Sequence, residues 1–106
     1  MHRIGVLGDR ESVLGFKALG VEVFTADDAR RARPVLRRIA KEGFAVIFIT
    51  EHLARDMEDE IRPYRDRAAP AIVVMPGKGG PMGLGMAELK RVVERAVGMD
   101  ILNMKQ

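Results

Sequence analysis

The chain predicts an α/β fold. A four-stranded parallel, doubly wound sheet of order 2-1-3-4 is followed by a hinged, amphipathic C-terminal helix. Three observations lead there. Apolar runs alternate with helical periodicities over residues 1–76. The runs AVIFI (Ala45 to Ile49) and AIVVM (Ala71 to Met75) are apolar throughout, as in strands covered on both faces. The connections are short, which favours right-handed crossovers with helices on both sides of the sheet.

Each element has its own warrant. Arg3 to Gly8 (RIGVLG) reads as the first strand. Asp9 to Leu19 reads as a short helix with Val13, Leu14, Phe16 and Leu19 as its apolar set, and Gly20 stands where a helix-ending glycine belongs. Val21 to Phe24 is the second strand. Asp27 or Asp28 can cap the next helix, which buries Ala32, Val35, Leu36 and Ile39 and stops near Gly43. Pro34 falls inside that pattern, and either kinks the helix or marks its true start. Ala45 to Ile49 is the third strand. Glu51 to Arg62 is a helix with Leu53, Met57 and Ile61 on one side, and Ala71 to Met75 is the fourth strand.

Composition narrows the function classes. One hundred and six residues make one domain with a modest core, and 47% hydrophobic content suffices for it. The absence of cysteine excludes disulfides, thiolate catalysis and cysteine metal sites. The net charge of +3 is mild and spread out: residues 1–78 carry 14 basic and 12 acidic side chains, residues 79–106 carry 4 and 3. No basic tail of the kind that drives nucleic-acid binding is present. No apolar run approaches the roughly 20 residues needed to span a bilayer, and the start reads as a strand rather than a signal sequence. The reading is a soluble, cytoplasmic chain with no direct membrane insertion and no nucleic-acid partner.

In a doubly wound sheet the functional crevice lies beyond the carboxyl ends of the strands. That rim would hold Asp9, Arg10, Thr50, Glu51, His52, Gly77 and Lys78. A response-regulator receiver needs a phosphoacceptor aspartate after its third strand and an acidic pair after its first. This chain offers Thr50 at one place and Asp9 beside Arg10 at the other, a poor acceptor and a poor magnesium site. A nucleotide loop is also missing. The GxGxxG pattern begins at Gly77 and Gly79 but meets Met82, and GxxxxGK[ST] does not occur. His52 has no companion ligand for zinc, and Ser12 has no histidine to activate it. No catalytic residue, metal or cofactor is expected. The basic run Arg30, Arg31, Arg33, Arg37, Arg38 and Lys41 reads as a solvated helix face, with a docking surface for an acidic partner as the sharper alternative.

The C-terminal quarter is the most distinctive part. Five glycines (Gly77, Gly79, Gly80, Gly83 and Gly85) fall within nine positions, more loose chain than a strand-to-helix connection needs. Met86, Leu89, Val93 and Val97, with Val92 and Ala96 beside them, then form an apolar stripe at helical spacing. Lys90, Arg91, Glu94 and Arg95 cover much of the rest. The helix either closes the last face of the sheet or docks on another chain, and the long linker favours docking. The expected organisation is an α/β domain over residues 1–76, a hinge over 77–85, and a helix with an apolar tail over 86–106.

At this point the residues resemble a known family. IGVLGDRESVLGFKALGV, VIFITEHLA and PGKGGPMGLGMAELKRVVERAVGMDIL together look like the F subunit of the rotary V-type and archaeal A-type ATPases/ATP synthases. The resemblance covers nearly the whole chain, and its C-terminal run is the specific part. It implies a non-catalytic piece of the central rotor stalk, with a receiver-like N-terminal domain. It implies that Met86, Leu89, Val92, Val93, Ala96 and Val97 pack on the coiled coil of the D subunit, hinged at Gly77 to Gly85. It further implies the catalytic A and B subunits and the C subunit as neighbours, and a place on the cytoplasmic face of the membrane held through the complex. Two rivals from other classes are a degenerate receiver acting as a signalling adaptor and a flavodoxin-like ligand-binding domain.

Overall fold

Four strands form one all-parallel sheet: β1 (Arg3–Gly8), β2 (Glu22–Thr25), β3 (Phe44–Thr50) and β4 (Ala71–Met75). Their order is β2-β1-β3-β4, as the alternation of the sequence predicts. The computed structural model describes residues 3–75 together with Arg91, Glu94 and Arg95. β3 lies between β1 and β4, and all seven of its residues are buried. That is why its sequence is apolar without alternation.

Two apolar layers sandwich the sheet. On one face Leu7, Ile47 and Ile49 pack with Leu36, Ile39, Leu53, Met57 and Ile61. On the other, Val6, Val46 and Phe48 pack with Val13, Phe16 and Val21, and the Phe16 and Phe48 rings lie 5.8 Å apart. The register shifts between Arg3 and Ile4, which pair with Phe44 and Val46 and leave Ala45 as an extra residue. This bulge puts Ala45 and Val46 in the same layer instead of on opposite faces.

The helices differ from the expected ones in instructive ways. Helix α1 spans only Arg10–Val13, and Leu14–Leu19 continues as a tighter 3-10 helix. Three residues per turn brings Phe16 and Leu19 onto one side, toward the sheet. Leu14, expected in the apolar set, is 60% exposed. Gly20 ends the segment at φ 78°, a left-handed conformation that glycine adopts without strain.

Helix α2 spans Ala29–Ile39 and is capped by Asp28, whose carboxylate accepts the Arg31 N–H at 2.9 Å. Pro34 lies inside it and does not mark its start. Val35 is half-buried, while Ala32, Leu36 and Ile39 are fully buried.

The single helix expected over Glu51 to Arg62 is broken. Helix α3 covers Glu51–Asp56, helix α4 covers Glu58–Ile61, and Met57 between them has φ −117° and ψ 22°. Met57 is fully buried, so the break falls at a large side chain of the core. A short 3-10 turn, Arg62–Tyr64, follows.

Candidate functional site

At the rim beyond the strand ends, Thr50 is engaged in packing and Asp9 in capping. Thr50 closes β3 and is fully buried, and its hydroxyl has no hydrogen-bond partner among the described residues. Its methyl group faces the Cα of Gly8 so closely that a Cβ on Gly8 would overlap it. Asp9, next along, caps α1: its carboxylate accepts the Ser12 N–H at 3.1 Å and the Ser12 hydroxyl at 3.0 Å. Ser12 is thereby a buried helix-start residue whose hydroxyl is already engaged.

Arg10, Glu51 and His52 are exposed, and Glu51 pairs loosely with Arg55 at 3.7 Å. Gly77 and Lys78 lie outside the described residues. A carboxylate that caps a helix and a threonine sealed against a glycine leave the position of a phosphoacceptor filled by packing. Among the described residues no three His, Asp or Glu side chains converge to hold a metal ion.

The basic run of α2 is resolved by its neighbours. Arg33 donates to Asp59 at 2.8 Å and to the Asp56 carbonyl at 3.0 Å. Arg37 holds Glu60 bidentately at 3.0 and 2.7 Å. Hydrogen bonds from these arginines, with their charge, hold the Asp59 and Glu60 carboxyls below the usual carboxylate range. Arg38 lies 3.7 Å from Glu42, and Arg31 lies 3.9 Å from Asp27. Most of the run is thus a solvated helix face, with Arg30, Arg31, Arg38 and Lys41 exposed. Its inner edge fastens α2 to α4 within one chain. Sequence reasoning missed this ladder, although Glu58, Asp59 and Glu60 in the next helix supply the matching signal.

A second latch lies at the start of β1. Arg3 pairs bidentately with Glu22 at 2.9 and 2.8 Å, donates to the Glu42 carbonyl at 2.6 Å, and sits 4.2 Å above the Phe44 ring. It ties the short edge strand β2 to the chain entering β3.

The residues expected to bind a partner are not among those described. Met86, Leu89, Val92, Val93, Ala96 and Val97, and the glycines Gly77, Gly79, Gly80, Gly83 and Gly85, are outside the described residues. Arg91, Glu94 and Arg95 are helical and exposed. Their spacing puts them on one helix face.

Fold and rim together define a class: a receiver-like parallel α/β domain with threonine where a receiver places its phosphoacceptor. Comparison with known proteins narrows this further. Residues 4–93 match the family of the ATP synthase (F/14-kDa) subunit, and the chain belongs to it. It is 42% identical to the F subunit of the V-type ATP synthase of Fusobacterium nucleatum, over 96% of this chain and 97% of that one. The F subunit of the V-type ATP synthase of Clostridium perfringens is also 42% identical, over 94% of this chain and 95% of its own. The F subunit of the A-type ATP synthase of Thermococcus sibiricus is 36% identical, over 93% and 97%. The family match takes in both halves of the resemblance, from β1 into the C-terminal segment. No helix among the described residues is long and apolar enough to cross a membrane.

Proposed function

We propose that this chain is a non-catalytic central-stalk component of a rotary V/A-type ATPase or ATP synthase. In this reading the α/β domain sits on the side of the stalk. The stripe Met86, Leu89, Val92, Val93, Ala96 and Val97 packs on the coiled coil of the D subunit. Gly77 to Gly85 act as the hinge that lets the helix change position. The catalytic sites belong to the A and B subunits, the C subunit is a further neighbour, and the complex carries this chain on the cytoplasmic face of the membrane. Its role is to help couple ATP turnover to rotation and ion movement.

The observation that carries the reading is family membership running through residue 93, into the segment whose apolar residues recur in the sequence at three- and four-residue spacing. The rim agrees with it, since Asp9 and Thr50 are committed to capping and packing.

Co-purification with the stalk D subunit of the same organism tests it, using the intact chain and Leu89→Asp plus Val93→Asp. Two unpaired carboxylates buried in an apolar seam cost several kcal/mol. The intact chain should bind and the double variant should not. Equal binding by both would move the contact face elsewhere. No binding by a folded intact chain would overturn the stalk role.

A further inference from the structure

We infer that the outer edge of β4 is a docking site for an extended, acidic segment of a partner protein, added to the sheet as a fifth strand. Among the described residues β4 pairs with β3 alone. The outward backbone groups of Ala71–Met75 therefore face no strand among those residues. Sheet edges are commonly protected by a charged side chain, a proline or a bulge. Between the flanking Pro70 and Pro76, the five residues AIVVM carry no charge and no proline, and their pairing with β3 is regular. Val74 on this edge is 48% exposed.

A cavity opens where β4 begins. It has a volume of about 530 Å³ and is lined by Tyr64, Arg67, Ala68 and Ile72 among others. Alternation puts Ile72 and Val74 on the same face, about 7 Å apart. Side chains at alternate positions of an added strand would sit over both, the usual source of specificity in strand addition.

Charge selects the chemistry of the segment. Arg65 is already held by Glu58. The Arg67 guanidinium carbon lies 5.0 Å from the centre of the Tyr64 ring, and Arg67 pairs with no carboxylate among the described residues. A guanidinium held over a ring in this way still has N–H donors for a carboxylate. Asp66 is the one acid among the described residues of the cavity wall, with Arg62, Arg65 and Arg67 around it in sequence. The occupant is thus an alternating apolar and acidic segment, with one carboxylate on Arg67 and apolar side chains over Ile72 and Val74.

The test titrates the full-length, isotope-labelled chain with a capped hexapeptide of alternating valine and glutamate, followed by amide chemical shifts and hydrogen exchange. Shifts and slowed exchange should map to residues 62–75. Arg67→Glu, an exposed change, should weaken binding by about tenfold or more, and a valine–lysine peptide should not bind. A backbone N-methylated valine–glutamate peptide should lose binding, since it cannot pair with the edge. Silence, shifts that map elsewhere, or equal binding of the lysine peptide overturns the proposal. Undiminished binding of the N-methylated peptide overturns strand addition. Dimerisation through β4 without peptide would make a second copy the occupant and overturn the acidic partner. The titration contains no other protein of the complex, so the result stands apart from the stalk reading.

Discussion

Gly8 and Thr50 show how one contact decides what a rim can do. A Cβ on Gly8 would overlap the Thr50 methyl and come within 3.0 Å of Val13 Cγ1. Gly8→Ala should therefore destabilise the fold by about 1–3 kcal/mol in urea unfolding. The Thr50 hydroxyl is buried without a partner among the described residues, and a buried unpaired polar atom costs about 1–3 kcal/mol. Thr50→Val keeps the shape and removes that atom, so it should leave stability unchanged or raise it within this range. A clear loss would reveal a partner for the hydroxyl. The identities of Thr50 and Asp9 were legible in the sequence as a poor receiver site. Their burial and capping were not, because both depend on which side chains the sheet brings beside them. The cap of α2 shows the same limit: Asp27 and Asp28 are chemically equivalent, and only the backbone conformation at Asp28 made it the acceptor.

Elements were read well where burial dictates pattern, and less well where neighbours bend a helix. β3 is the clear case, since a strand covered on both faces must be apolar at every position. Helix α2 continues through Pro34 because Ala32, Leu36 and Ile39 bury its inner face on both sides of the proline. Pro34 itself is exposed. It lacks an N–H and crowds the preceding turn, so Pro34→Ala should raise stability by about 1–3 kcal/mol, measured by thermal or urea unfolding. The ladder between α2 and α4 sets an acid limit. Hydrogen bonds from Arg37 and Arg33 lower the Glu60 and Asp59 carboxyls in the folded state. Groups depressed on folding contribute stability that is present above their unfolded values, near 4.5 for Glu60, and lost as pH falls through the folded ones. Urea midpoints should thus decline on acidification below that point. Arg33→Ala plus Arg37→Ala should flatten the decline, and an unchanged slope would remove the ladder as its cause. These pairs are surface groups, so their share at neutral pH is small and weakened by salt.

For the molecule as a whole, the proposed function turns on motion between the α/β domain and the helix. A disulfide engineered across the hinge Gly77 to Gly85 should change the ATPase rate of the assembled complex, and reduction should restore it. An unaltered rate in the oxidised complex would rule out a switching role for the hinge. The domain and its helix are also predicted to differ in what they bind. Variants in the stripe should abolish binding to the D subunit, while variants at Arg67 should spare it.

The sequence by itself determined the sheet, its strand order, the absence of cysteine chemistry and the family resemblance. Those properties rest on local apolar patterning and on motif residues, which a linear chain carries openly. Tertiary structure alone decided three other matters. Arg33 and Arg37 hold α4, Met57 breaks a helix in two, and Thr50 is buried where a receiver would carry its phosphoacceptor. Each depends on which side chains meet across distant parts of the chain. Such meetings follow from the packing of elements against one sheet, and residue spacing along the chain does not encode them.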